Sequence, residues 1–189
     1  MPILKKKYYL IIENIKDIDL KNIKKRNKFV IIYRNNKNLD EINNLLKFRK
    51  ICKSKSVEFY IANNINLAVK LRSDGIYLSA YNKSFKSLLL KKTNFKIIGS
   101  AHSIKEISAK VQQGCKKIIF SKLFKVSYDK YASYLGITKF NIFCKFYENL
   151  IPLGGINSEN LRSLNMINSE GFALMSEVKK KPAIANRLF

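Results

Sequence analysis

The residues of this 189-residue chain best suited to bind a charged ligand are two glycines near its end. Gly154 and Gly155 follow an apolar run and precede residues that favour a helix start, and a second apolar run from Phe172 ends at Ser176. Glycine lets the backbone approach a ligand closely, and the N–H groups of a helix start attract anions. Gly154, Gly155 and Ser176 therefore predict a phosphate-binding site. The alternative is steric, because a tight strand-to-helix turn also requires glycine.

His102 is the only histidine of the chain and the best candidate for proton transfer. Histidine is the side chain best suited in general to both accept and donate a proton near neutral pH. His102 follows an apolar run and precedes Ser103 and Glu106, whose spacing is that of a capping box. The alternative role for His102 is structural, at the start of the helix that Ser103 opens.

The chain is strongly basic, with 37 Lys and Arg residues against 13 Asp and Glu residues and a formal net charge of +24. The lysines are spread along the whole sequence and mixed with Asn and Ile, a composition that A+T-rich codons would produce. Such a charge attracts phosphorylated small molecules. Salt-sensitive binding of RNA is the alternative. Because aromatic and basic residues do not interleave in a recognisable RNA-binding motif, we do not expect a nucleic-acid partner.

The cysteines and the apolar segments bear on where the protein is found. Cys52, Cys115 and Cys144 lie far apart, without the spacing of metal ligands or of a disulfide framework. No apolar stretch approaches the length that spans a membrane, and the N-terminal apolar run is too short for a signal peptide. We therefore predict a cytoplasmic protein without membrane contact.

Apolar runs of strand length alternate with segments of helical periodicity along the chain. The runs are continuous, which indicates strands buried on both faces of a parallel sheet. Eight such units predict an α/β fold closed into a (β/α)8 TIM barrel. This fold usually needs roughly 200 residues or more, so the barrel must be trimmed, and residues 1–189 are expected to form one domain. The predicted strands are 8–13, 29–34, 59–63, 76–79, 97–101, 118–121, 150–154 and 172–176.

Several short motifs occur in an order that resembles the thiamine phosphate synthase and thiazole tautomerase (TenI-like) family. They extend over almost the whole chain, so the ordered set is more specific than any one motif. The resemblance implies a (β/α)8 barrel with its active site at the C-terminal ends of the strands, and a role in thiamine biosynthesis. The motifs are residues 66–68, 73–78, 100–103, 154–160, 173–176 and 181–188.

The resemblance also implies ligands and the residues that bind them. Synthases of this family join a pyrimidine diphosphate to a thiazole phosphate, so both are expected as small-molecule partners. Gly154, Gly155 and Ser176 correspond to the closing phosphate segment of the family. Arg34 and Lys130 are the candidates for binding substrate and diphosphate.

The family's synthases hold Mg²⁺ with two aspartates, and these positions fall on Asn63 and Asn82. Mg²⁺ is a hard cation that is usually bound through one or two carboxylates plus phosphate oxygens. Amide oxygens can ligate it but bring no charge. The replacement of both aspartates by asparagine is expected to weaken Mg²⁺ binding, and with it the stabilisation of the pyrophosphate leaving group.

Three functions remain open from the sequence. The chain is a synthase-like transferase with altered catalysis, or a thiazole tautomerase, or a non-catalytic sensor that binds a thiamine precursor. The tautomerase is an isomerase with less need of a metal, and His102 would move its proton. In each case we expect a thiazole phosphate to bind at the C-terminal mouth of the barrel.

Overall fold

The computed structural model describes residues 7–23, 27–35, 40–129 and 131–175, which contain eight parallel strands closed into a barrel. Each strand pairs with its sequence neighbours, and β8 pairs with β1, so the sheet has no free edge. The predicted (β/α)8 fold is confirmed. The strands are β1 (Lys7–Ile12), β2 (Phe29–Tyr33), β3 (Glu58–Ala62), β4 (Gly75–Leu78), β5 (Lys96–Ala101), β6 (Lys117–Ser121), β7 (Leu150–Leu153) and β8 (Gly171–Leu174).

The segments between the strands are short, and this is where the barrel is trimmed. After β1, β4 and β7 the described chain forms 3₁₀ segments in place of full α-helices. The described residues form four α-helices, which are α1 (Ile42–Ser54), α2 (Ile65–Lys70), α3 (Ile104–Gln112) and α4 (Gly136–Phe146). The 3₁₀ segments are Ile15–Asp17, Leu20–Asn22, Lys86–Lys92 and Leu161–Met166.

Side chains alternate across the barrel wall and form two separate apolar clusters. The outward-facing cluster packs beneath the helices and includes Phe59 and Phe172, both fully buried. The inward-facing cluster fills the barrel and contains Tyr9, Tyr60 and Tyr77, each at most 2% exposed. The interior is therefore a packed core, and ligands must bind at its ends.

A charged cluster closes the N-terminal end of the barrel interior. Lys7 and Glu58 lie two residues before the inward-facing Tyr9 and Tyr60, so strand alternation directs them inward. The Glu58 carboxylate accepts hydrogen bonds from Lys7 Nζ at 2.7 Å and Lys96 Nζ at 3.0 Å. Burial alone would raise the pKa of Glu58, but the two ammonium groups and the Tyr60 hydroxyl outweigh it and lower the pKa to about 2.

A second carboxylate at the same end forms a matching arrangement. Glu170 accepts hydrogen bonds from Lys117 Nζ and from the Tyr9 hydroxyl. Burial of Glu170 acts against these hydrogen bonds, yet its pKa is still lowered. The two carboxylates therefore hold lysines from several strands together at the face of the barrel that usually serves stability.

The described residues contain no disulfide, and Cys52 and Cys115 are buried thiols. Burial raises the pKa of each of these two thiols to about 12. None of the helices in the described ranges is long and apolar enough to cross a lipid bilayer.

The Glu58 cluster predicts a pH-dependent contribution to stability. A carboxylate whose folded pKa lies below its unfolded value, about 4.3, stabilises the fold above pH 4.3 and loses this effect as the pH falls towards 2. Glu58→Gln should therefore lower the free energy of unfolding by about 1–3 kcal/mol at pH 7. Urea denaturation measures this difference, which should shrink steadily below pH 4.

Glu148→Gln is the matched control, because it makes the same charge change at an exposed position. We expect it to change the free energy of unfolding by no more than about 0.5 kcal/mol. Equal effects of the two substitutions at pH 7 would show that the cluster does not stabilise the barrel.

Candidate functional site

Most of the candidate site residues predicted from the sequence lie at the C-terminal mouth of the barrel. Arg34, Asn63 and His102 each follow the last residue of a strand directly, and so does Gly154. Asn82 follows β4 after three residues. Because the strands are parallel, these positions lie at one end of the molecule. Two other predicted residues, Lys130 and Ser176, lie outside the described residues.

The glycine turn after β7 is a tight bend that packs against the loop after β6. Gly154 and Gly155 both have positive φ, +101° and +67°, a region that favours glycine. A side chain on Gly155 would have its Cβ 2.4 Å from the carbonyl oxygen of Lys125. The Gly154 carbonyl accepts a hydrogen bond from Phe124 N at 3.0 Å. The tight turn therefore requires glycine at both positions for steric reasons, whether or not the two residues also bind phosphate.

The segment after the turn differs from the expected helix start. Leu161–Met166 is a short 3₁₀ segment, and the Asn157 side chain accepts hydrogen bonds from the N–H groups of Glu159 and Asn160. These donors are therefore not available to an anion. Among the described residues, no acceptor binds the N–H groups of Gly154 and Gly155, so the turn itself offers the donors.

One lysine lies against the glycine turn. The Cα and Cβ atoms of Lys122 are 3.2 Å from the position that a Gly154 Cβ would occupy. Its Nζ atom is 3.9 Å from Asp129 and 5.9 Å from the Tyr128 ring centre. Both contacts are long for an ion pair and for a cation–π contact.

Asn63 and Asn82 meet at the neighbouring ends of β3 and β4. The Asn63 Oδ1 atom accepts two hydrogen bonds at 3.0 Å, one from Asn82 Nδ2 and one from the main-chain N of Ser79. Asn63 Nδ2 donates to Ser79 Oγ at 3.2 Å. Asn82 Oδ1 accepts from Ser84 N at 2.9 Å. We name this set of hydrogen bonds the amide bridge.

The amide bridge does not fit a divalent cation. Both hydrogen-bonding directions of the Asn63 oxygen are occupied by N–H donors, and the Asn82 oxygen already accepts a main-chain N–H. A hard cation needs carboxylate or other free oxygens around it. Within the described ranges, no three His, Cys, Asp or Glu side chains are grouped so that they could hold a metal ion. The Asn63 oxygen thus has both acceptor positions filled, and the Asn82 oxygen has one filled by a main-chain N–H.

A cavity of about 670 Å³ opens beside the amide bridge. Its polar lining residues include Asn63, Asn82 and Lys86, and its apolar ones include Ile61 and Leu78 of the outward-facing cluster. Its volume is in the range of small-molecule sites. The glycine turn, Arg34 and His102 do not line it. Sequence reasoning missed this cavity, since its walls come from three separate loops.

Arg34 lies at the inner side of the mouth. It follows the inward-facing Ile32 by two residues, and its main-chain N donates to Ile12 O at 2.8 Å. Burial raises the pKa of Tyr77, and a hydrogen bond from Ser100 and the positive charge of Arg34 oppose this rise. The Arg34 charge therefore acts on the top of the barrel core, close to where a ligand would bind.

His102 is held by the helix that follows it. Glu106 accepts a hydrogen bond from His102 N at 2.7 Å and contacts the ring Nδ1 at 3.2 Å. Ser103 Oγ accepts from Glu106 N, so the predicted cap is present, but the carboxylate reaches His102 and not Ser103. The His102 side chain remains 48% exposed. A carboxylate that orients Nδ1 leaves Nε2 able to exchange a proton.

The glycine turn gives a stability prediction. Gly155→Ala combines a positive φ with a severe clash, so we expect it to lower the free energy of unfolding by about 3 kcal/mol or more. Gly136→Ala is the matched control, because φ is +70° and no atom lies within 4 Å of its added Cβ. Gly136→Ala should lower the free energy of unfolding by only about 1–2 kcal/mol. Equal losses in thermal or urea unfolding would contradict the close packing of the turn.

Sequence comparison identifies the family of this chain. A family model described as thiamine monophosphate synthase matches residues 9–178. The thiamine-phosphate synthase of a Bacillus cereus strain is 25% identical over 143 residues, which are 74% of this chain and 65% of that protein. One from a strain of Prochlorococcus marinus is 28% identical over 130 residues, 68% of this chain and 38% of that protein. The match thus spans between about a third and two thirds of these relatives.

Solved structures show the same fold. The thiamine phosphate pyrophosphorylase of Pyrococcus furiosus superposes with a TM-score of 0.72 at 15% identity, covering 96% of this chain and 92% of that one. The 3-keto-L-gulonate-6-phosphate decarboxylase of Vibrio cholerae gives a TM-score of 0.64 at 12% identity, covering 97% and 94%. Since the family model extends over nearly the whole described barrel, the chain belongs to the thiamine monophosphate synthase and TenI-like family.

Proposed function

We propose that this chain binds a thiazole phosphate of thiamine biosynthesis at the C-terminal mouth of its barrel, without the metal-dependent synthase reaction. The observation that carries the proposal is the glycine turn, where two main-chain N–H groups without acceptors among the described residues lie beside Lys122. Main-chain N–H groups and a lysine together form a site for a phosphate. Membership of the family supports the choice of thiazole phosphate.

The phosphate should supply much of the binding energy. We expect thiazole phosphate to bind at least about tenfold more tightly than the corresponding thiazole alcohol, because a charged hydrogen bond contributes about 1.5–3 kcal/mol. Isothermal titration calorimetry measures both affinities. Equal affinities, or no binding of the phosphate at millimolar concentration, would contradict the proposal.

Lys122→Gln tests the same site from the protein side. We expect it to weaken thiazole phosphate binding about three- to tenfold in calorimetry, since a single ammonium–phosphate contact is partly screened by water. Lys145→Gln is the control, because it removes the same charge from an exposed position in the last turn of α4. Equal losses in the two variants would mean that only net charge matters.

Loss of synthase chemistry follows from the amide bridge. At the ends of β3 and β4, where the resemblance places the two metal-binding aspartates, the chain has the amides of Asn63 and Asn82, and the Asn63 oxygen is bound to two N–H donors. We therefore infer that thiamine phosphate formation from the pyrimidine diphosphate and thiazole phosphate is slow or absent. A continuous assay with both substrates and Mg²⁺ checks this inference, and robust turnover would overturn it.

A tautomerase is the second candidate, favoured by the His102–Glu106 contact. Tautomerisation moves a proton on the bound thiazole carboxylate phosphate and needs one group that both accepts and donates it. The Glu106 carboxylate fixes Nδ1 of His102, so the exposed Nε2 is free of this contact. A chain that binds the phosphate but converts nothing is the sensor alternative.

His102→Ala separates these possibilities. If His102 transfers the proton, the substitution should slow aromatisation by about 10²–10⁴-fold and change thiazole phosphate affinity little. Absorbance spectroscopy follows the reaction, and calorimetry follows binding. Indistinguishable rates would remove His102 from catalysis. No turnover in the unsubstituted protein, combined with tight binding, would favour the sensor.

A further inference from the structure

The amide bridge is supported from behind by a fully buried lysine. Lys110 on α3 is 1% exposed, and its Nζ donates to the main-chain O of Asn82 at 2.7 Å and to Gln113 Oε1 at 2.8 Å. Gln113 Nε2 donates to the same Asn82 oxygen and to Ser84 O, each at 2.9 Å. Two side chains of one helix end therefore fix the loop that carries Asn82. We name Lys110 and Gln113 the loop clamp.

The loop clamp also places a positive charge beside the bridge. Both acceptors of the Lys110 ammonium are neutral, and burial lowers its pKa. Glu106 of the same helix and Cys115 act in the opposite direction on this pKa. An ammonium that has no carboxylate among its hydrogen-bond partners in the described chain would repel a second cation at Asn82. The clamp thus favours a neutral bridge over a metal-bound one.

We propose that the amide bridge replaces a divalent cation as the link between the ends of β3 and β4, so that this mouth keeps its shape without metal. The inference concerns the same site as the proposed function and rests on it only for the identity of the ligand. A metal needs two carboxylates to join the strand ends. Here three hydrogen bonds make that connection. Asn82 Nδ2 and Ser79 N donate to Asn63 Oδ1, and Asn63 Nδ2 donates to Ser79 Oγ.

The direction of the hydrogen bonds predicts different outcomes at the two positions. An aspartate at position 63 would still accept from Ser79 N and from Asn82 Nδ2. It loses the Nδ2 donor to Ser79 Oγ, but the serine hydroxyl can donate to the carboxylate instead, so Asn63→Asp should fold well. An aspartate at position 82 loses the Nδ2 donor and sets a carboxylate oxygen against the Asn63 oxygen. Asn82→Asp should therefore be less stable than Asn63→Asp. The double substitution places two carboxylates opposite each other, an arrangement that requires a cation.

Thermal unfolding of these variants, with EDTA or with millimolar Mg²⁺ or Mn²⁺, tests the inference without any organic ligand. In EDTA we expect a Tm change of about 1 °C or less for N63D and a fall of roughly 2–8 °C for N82D and the double variant. Saturating cation should raise the Tm of the double variant by about 4–10 °C. The unsubstituted protein should show no change with either cation.

Binding of Mn²⁺, followed by electron paramagnetic resonance, gives a readout independent of stability. We expect specific Mn²⁺ binding to the double variant and none to the unsubstituted protein. A Tm of the unsubstituted protein that rises with Mg²⁺, or a double variant that neither binds Mn²⁺ nor gains stability from it, overturns the inference. If the double variant does not fold, N82D is measured in the same way and must gain Tm from the cations. Failure of thiazole phosphate binding alone would contradict the proposed function and leave this result unaffected.

Discussion

The hydrogen bond from Asn82 to Asn63 is the interaction on which the shape of the mouth depends. It joins the ends of two neighbouring strands, and Ser79 completes it by pairing with both ends of the Asn63 amide. All its members are neutral, so no counter-ion is required. The buried Lys110 contacts the loop of Asn82 from the α3 side, and its positive charge also disfavours a cation at this position.

This constraint divides the mouth into two unlike halves. The β3–β4 side carries the amides and hydroxyl of the amide bridge beside a cavity of mixed polar and apolar lining. The opposite side, around β6 and β7, carries the glycine turn and Lys122. Since a closed eight-strand barrel places β3 across from β7, an anion and a neutral group of a ligand can be bound at separate walls.

The strands could be predicted from the sequence because burial on both faces produces continuous apolar runs. The predicted parallel order of the strands places the ends of β3 and β4 side by side, but it did not by itself predict the hydrogen bond between Asn63 and Asn82. The loop clamp could not be foreseen, since nothing local distinguishes Lys110 from the many solvated lysines of a basic chain. The Glu58 cluster could not be predicted either, because its partners lie far apart in the sequence and only barrel closure brings them together. The segment after the glycine turn was wrongly expected to begin a helix, because the Asn157 side chain satisfies its first N–H groups locally.

The central claim is that the mouth binds its phosphorylated ligand without a divalent cation. Calorimetric titration of thiazole phosphate into the unsubstituted protein, once in EDTA and once in millimolar Mg²⁺, tests it most directly. We expect the two dissociation constants to agree within about twofold, a free-energy difference of about 0.4 kcal/mol. Binding that occurs only with Mg²⁺ would contradict the claim.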